Sequence, residues 1–312
     1  LKKFRFSGLS AHVKNFRNKR IMVIGDLLLD HYIWGDVSRI SPEAPVPVVW
    51  VKREDHMPGG SCNVASNLAA LGADVSIVGV IGDDDRGDTL RNELHKRDIK
   101  TNGIFTDSSR PTSLKTRVIA HHQQVCRIDR ESVDTVEGAV ASKMVEFAAE
   151  NVKDFDAVVI EDYGKGVITP GLLKKVVPVA RKNNKVISVD PKENHFSYYK
   201  GASVITPNHH EAAKAVGFTL RTFDDIVRAG ETMLKKLRTD SILITLGEKG
   251  MMLFEKGRTY QHIPTVAQEV FDVSGAGDTV IAVFTLARAA GATPHMSAYI
   301  ANCAAGIVVG KI

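Results

Sequence analysis

Short apolar runs alternate with helix-period segments along most of this chain, and that alternation leaves few folds open. Ile21–Gly25, Val75–Val80, Ala157–Ile160, Val186–Val189, Ser203–Ile205 and Ile242–Thr245 read as strands buried on both faces, the pattern of parallel pairing. Between them Asn63–Leu71, Asp88–Arg97, Val140–Asn151, Leu172–Asn183 and Ile226–Arg238 carry apolar residues at helical spacing. The expected fold is α/β: a doubly wound, mostly parallel sheet with helices on both faces. No repeat, low-complexity tract or Pro/Ser-rich linker divides it.

Two segments interrupt the pattern. Residues 33–51 are extended and punctuated by proline, and residues 113–129 alternate in strand fashion. Neither suits a crossover helix. A small sheet made from them needs cover for its apolar face, which Val46, Val48, Trp50, Val118 and Ile119 supply.

Bulk composition narrows the function classes. The net charge of +5 is concentrated at one end: residues 1–20 hold seven Lys or Arg and no acid, leaving 34 basic against 36 acidic residues in the remainder. Residues 1–20 therefore read as a basic extension, followed by one domain over 21–312. Without aromatic residues interleaved among those charges, nucleic-acid binding is not expected. Cys62, Cys126 and Cys303 are widely spaced and form no C-x-x-C, which argues against a disulfide framework or zinc site and suits a reducing cytoplasm. No apolar run has membrane-spanning length.

The most chemical segment is Asp272-Val273-Ser274-Gly275-Ala276-Gly277-Asp278-Thr279, placed between extended sequence at 268–271 and a helical run from Val280 to Ala290. Two glycines allow a close backbone approach, and the helix-initial N–H groups favour a phosphate or a developing anion. Asp278 beside them can take a proton from an attacking hydroxyl, so one segment supplies the needs of phosphoryl transfer to an alcohol. The alternative is a helix-start carboxylate that only complements the dipole. A dinucleotide loop is disfavoured, since the pattern lacks the third small residue and comes late in the chain. No G-x-x-x-x-G-K-[ST] occurs either; Gly306–Lys311 is one residue short of it.

D-x-S-G-A-G-D-T resembles the C-terminal signature of the ribokinase-like (PfkB) carbohydrate kinases, and Pro58-Gly59-Gly60-Ser61-Cys62-Asn63-Val64-Ala65 resembles its N-terminal partner. Ile24–Asp30, Ser38–Pro47, Asp162-Tyr163-Gly164-Lys165-Gly166 and Gly306–Lys311 are closest to the D-glycero-β-D-manno-heptose-7-phosphate kinases. The resemblance implies a ribokinase-like fold whose two β-rich segments form a lid over the sugar and pair two subunits as a homodimer. It implies ATP and Mg2+ as cofactors and D-glycero-β-D-manno-heptose 7-phosphate as acceptor, phosphorylated at C1 on the path to the lipopolysaccharide core. The alternatives are the same chemistry on another sugar, sugar phosphate or nucleoside, and a non-catalytic sugar or nucleotide sensor on this fold. It further implies either a stand-alone kinase or the kinase part of a longer protein.

The same resemblance assigns residues. Asp278 is the expected base, with Gly275, Ala276 and Gly277 facing the transferred phosphate. Asn208 and Glu211 of Asn208-His209-His210-Glu211 match the magnesium-holding N-x-x-E; an ordinary helix cap is the alternative. Thr245, Gly247 and Gly250 match the nucleotide loop, although a plain strand–turn–strand has the same pattern, and Asn302 matches the adenine pocket. Asp26, Asp30, Gly59, Gly60 and Asn63 are the expected sugar ligands, with a buried capping role as the alternative for Asp26. Arg117, Lys165 and Lys192 are the candidate partners for the substrate phosphate. Asp272 is the candidate monovalent-cation ligand. At His121-His122 the family usually carries Arg-Asn, a departure that bears on the precise substrate.

Overall fold

The computed structural model describes residues 9–121, 123–266 and 275–310. The first part of the chain forms α1 (Leu9–Lys14), β1 (Arg20–Gly25), β2 (Leu27–Ile40), β3 (Pro47–Gly60), α2 (Ser61–Ala70), β4 (Asp74–Ile81), α3 (Asp85–His95) and β5 (Lys100–Thr106). There follow β6 (Ser113–Ala120), β7 (Gln123–Arg130), α4 (Gly138–Asn151), β8 (Ala157–Glu161), α5 (Pro170–Lys182), β9 (Val186–Asp190) and β10 (Val204–Ile205). The last part holds α6 (His209–Val216), α7 (Phe223–Leu237), β11 (Ser241–Thr245), β12 (Met251–Glu255), β13 (Gln261–Ile263), α8 (Ala276–Ala289) and α9 (Pro294–Val309).

Nine strands make the main sheet, in the order β13-β12-β11-β10-β9-β8-β1-β4-β5. The strands from β5 to β11 are parallel, and β12 and β13 add to one edge antiparallel. Alternate residues of β1 enter different cores. Ile21 and Val23 join the layer of α2, α3, α8 and α9, while Met22 and Ile24 join that of α4, α5 and α7. Burial on both faces is why these strands read as continuous apolar runs.

Strand order reverses at β1. The chain winds outward through β4 and β5 on one side and through β8, β9, β10 and β11 on the other. A crevice therefore opens beyond the carboxyl ends of β1 and β8, where ligands of such sheets bind. Above it stands a second sheet, β3-β2-β6-β7, carried on the long β2–β3 hairpin. This is the lid expected from the two proline- and strand-rich segments.

The basic stretch is not wholly an extension. Phe16 is 2% exposed within the first core layer and Leu9 packs against it, so residues 9–20 belong to the body. No helix among the described residues is long and apolar enough to cross a membrane.

Candidate active site

Helix α8 starts at Gly275, whose φ of 72° lies in the left-handed region that glycine adopts without strain. A side chain there would also press on Asn63, whose Nδ2 is 3.3 Å from the position of a Cβ. The turn thus brings the glycine segment of the second half against the first turn of α2. Asp278, in the first turn of α8, accepts hydrogen bonds from Asn63 Nδ2 at 2.6 Å and Tyr163 Oη at 3.2 Å. Its helix-start position alone predicts an ordinary ionised carboxylate. Instead burial pushes its pKa up, against the pull of those two donors, and the Asp30 charge adds to the rise. A carboxylate poised in this way is a better proton acceptor than an exposed one.

Two further carboxylates meet it from strand ends. Oxygens of Glu161 (the end of β8), Asp190 (the end of β9) and Asp278 all lie within 4.8 Å of one another. Glu161 is completely buried, and neither of its oxygens receives a hydrogen bond from the described residues. Burial raises both Glu161 and Asp190 well above the carboxylate range, with the Asp190 and Asp278 charges adding at Glu161 and those of Glu211 and Asp278 adding at Asp190. Such a cluster requires protons or a cation for neutrality.

Asn208 and Glu211 border this cluster, and the Glu211 charge contributes to the rise at Asp190. They form a reciprocal capping box: Asn208 Oδ1 accepts from the N–H groups of His210 and Glu211, and Glu211 Oε2 accepts from that of Asn208. The cap alternative thus holds for the hydrogen bonds. Burial raises the pKa of Glu211 all the same.

On the far side of α8 lies a cavity of about 480 Å³ lined by Thr245, Gly247, Gly250, Ala276, Gly277 and Asn302 with apolar walls from Met251, Val280, Ala305 and Val309. Thr245, Gly247, Gly250 and Asn302, expected at the nucleotide, meet here, whereas Asn208 and Glu211, also expected there, do not line it. Gly250 has φ 83°, and a Cβ on it would overlap the Ile263 carbonyl oxygen. Asn302 is fixed by donating to Pro264 O at 2.7 Å. Apolar walls with a few placed polar groups suit a flat base.

The opposite side, under the lid, gathers Asp30, Gly59, Gly60, Asn63 and Arg117. Arg117 Nη1 donates to Asp30 Oδ1 at 2.5 Å and its guanidinium lies over the Tyr32 ring. Gly59 packs so tightly on Asp30 that a Cβ would overlap the carboxylate.

One expectation needs correction. Asp26 does not face the cleft with a free carboxylate: Oδ2 accepts from the N–H groups of Tyr163 and Lys165 and Oδ1 from that of Val167. Burial pushes its pKa up to about 6 despite those donors, so its work is to hold the loop after β8. Lys192 packs its stem against Gly164, next to Lys165 in the chain, and its charge also acts on Glu211. His121 closes the β6–β7 hairpin through Val37 instead of lining the site; His122 and Asp272 lie outside the described residues. Sequence reading missed Tyr163, Glu161 and Asp190. A carboxylate ending an apolar parallel strand is a signal for the last two, because strand ends face the crevice.

A base on a glycine-led helix start, between a nucleotide-sized cavity and a lidded polar cleft, is the arrangement of a sugar kinase. Residues 18–312 match the model of the pfkB family carbohydrate kinases, and the chain belongs to that family. It is 47% identical over 297 residues to the bifunctional protein HldE of Geotalea uraniireducens, and 45% identical over 296 residues to that of Pelobacter propionicus. Each alignment covers 95% of this chain, but the chain spans only 60% and 61% of those relatives. Among solved structures, Arabidopsis thaliana ribokinase complexed with ribose and ATP aligns with a TM-score of 0.73 at 20% identity, over 94% of this chain and 93% of that one. Phosphofructokinase-2 from Escherichia coli, in a tetrameric inhibited form, aligns at 0.72 and 17%, over 94% of each chain.

Proposed function

We propose that this chain phosphorylates D-glycero-β-D-manno-heptose 7-phosphate at its C1 hydroxyl, using ATP, to give the 1,7-bisphosphate. Its similarity to the HldE proteins supports the heptose reading, and the placement of Asp278 between the two cavities carries the chemistry. The C1 oxygen attacks the γ-phosphorus of ATP while its proton passes to Asp278. The bond from that phosphorus to the β–γ bridging oxygen breaks, and ADP leaves with the electron pair. Asn63 and Tyr163 hold the carboxylate in line, and the N–H groups at the start of α8 face the charge that develops.

Glu161's oxygens, unpartnered among the described residues, with Asp190 and Glu211 beside them, fit a divalent cation. Asn208, Glu211 and Asp190 would hold Mg2+, in part through water, and the ion would supply charge neutralisation for the phosphates. Lys192 adds a positive charge on the same side. Asp272 remains the proposed monovalent-cation ligand.

The proposed setting is cytoplasmic synthesis of ADP-heptose for the lipopolysaccharide core, by a homodimer joined through its lids. Seven of the fourteen large apolar side chains exposed among the described residues lie on the lid, including Ile40, Val46, Trp50 and Ile128. That concentration favours a covered face.

The test is ADP release with magnesium-ATP, comparing the heptose 7-phosphate with ribose, fructose 1-phosphate and adenosine. Turnover on the heptose phosphate with a new anomeric phosphorus signal is the expected result. Turnover confined to another acceptor would remove the heptose assignment.

A further inference from the structure

Two lysines from different parts of the site converge on one glutamate. Lys165 Nζ lies 2.5 Å from Glu131 Oε1, and Lys115 Nζ lies 3.3 Å from Glu131 Oε2. The three side chains are only 17–18% exposed. Lys115 Nζ also lies 3.1 Å from Asp129 Oδ2, but each oxygen of Glu131 has a cation facing it, which is how a phosphate is also gripped.

Their placement points across the sugar cleft. Lys115 on β6 is the register partner of Asp30 on β2, so its side chain shares the lid face that carries Asp30 and Arg117. Lys165 is two residues beyond Tyr163, which touches Asp278. Its backbone is clamped at both ends, the N–H by Asp26 and the carbonyl by Arg110 Nη1 at 3.0 Å. Only the side chain of Lys165 is therefore free to change partner. Glu131 follows the last residue of β7, beyond the ladder's end, so its exchange costs no strand pairing.

We propose that Lys115 and Lys165 are the seat for the acceptor's own phosphate, and that Glu131 occupies this seat until the substrate displaces it. The inference rests on the reading of the acceptor as a sugar phosphate. A hydroxyl reacting at Asp278 and a phosphate at the other end of the sugar must be held at opposite ends of the cleft. Of the other two cations, Arg117 is bound to Asp30 and Lys192 also serves Glu211, whereas Lys115 and Lys165 meet at a single carboxylate. Burial disfavours the Glu131 charge, but Lys165 and Lys115 outweigh it and hold the pKa below the usual range. An incoming dianion offers the lysines more charge than Glu131 does. A neutral sugar offers none, so the Glu131 contacts persist and selectivity for phosphorylated acceptors follows. Because Lys165 belongs to the body while Lys115 and Glu131 belong to the lid, the exchange also ties lid position to phosphate occupancy.

The experiment has two arms. Lys115→Met and Lys165→Met should each lower kcat/KM for the sugar phosphate, relative to its dephosphorylated counterpart, by at least about tenfold, with KM for ATP held. Equal losses on both sugars would mean a structural role and overturn the proposal. The second arm needs no acceptor: calorimetry with inorganic phosphate on the full chain. Glu131→Gln should bind phosphate more tightly than the parent, and adding Lys165→Met should abolish the gain. No gain in Glu131→Gln sinks the proposal whatever the acceptor proves to be, whereas silence of the parent on every sugar phosphate sinks the functional reading instead.

Discussion

Asn63 Nδ2 donates to Asp278 Oδ2 at 2.6 Å, joining the start of α2 to the start of α8 across 215 residues of sequence. Tyr163 supplies a second donor from the β8 loop. Both stabilise the ionised base, while burial and Asp30 oppose ionisation. Activity requires ionised Asp278, so it falls as pH drops through the raised pKa. Tyr163→Phe removes a donor, raises that pKa further and moves the acidic limb of kcat/KM to higher pH. Asp30→Asn removes a repelling charge and moves it to lower pH. Full pH profiles of both variants check the signs, and limbs that stay with the parent's would refute this account of the base.

Gly277 and Gly250 separate space for a ligand from space needed by the fold. A Cβ on Gly277 meets nothing within 4 Å, and the residue lines the nucleotide cavity. Gly277→Leu should keep or raise the melting temperature, since leucine favours a helix, while weakening ATP binding by at least about tenfold. Gly250→Ala should instead lower the melting temperature, because its φ and the Ile263 carbonyl leave no room. Thermal melts with ATP titrations distinguish the two; a Gly277→Leu protein that binds ATP normally would move the nucleotide elsewhere.

The lid makes a prediction about assembly. Trp50 is 57% and Ile128 58% exposed, far more than such side chains favour in a lone chain. Light scattering should find a dimer for the parent, and a monomer for the Trp50→Lys, Ile128→Lys double variant. A monomeric parent at micromolar concentration would exclude the lid interface.

The central sheet was legible because strands buried on both faces are mostly apolar between their ends, as β1, β4, β8 and β9 are. β5, β12 and β13 were not, since their short stretches lack a distinctive period. In the site, Gly275–Asp278 was readable because glycine spacing reports backbone needs locally. Glu161, Asp190 and Tyr163 act through topology: each is unremarkable until the parallel order of β8, β9 and β1 brings it to the crevice. Asp26 was misjudged for the same reason. Its partners, the N–H groups of 163, 165 and 167, are more than 130 residues away.

The most direct measurement is turnover and ATP binding of Asp278→Asn beside the parent, with the heptose 7-phosphate as acceptor. The asparagine keeps the shape but cannot take the proton. The account predicts a loss of kcat of at least about 100-fold with ATP affinity retained. Turnover within about tenfold of the parent, with the nucleotide still bound, would contradict it.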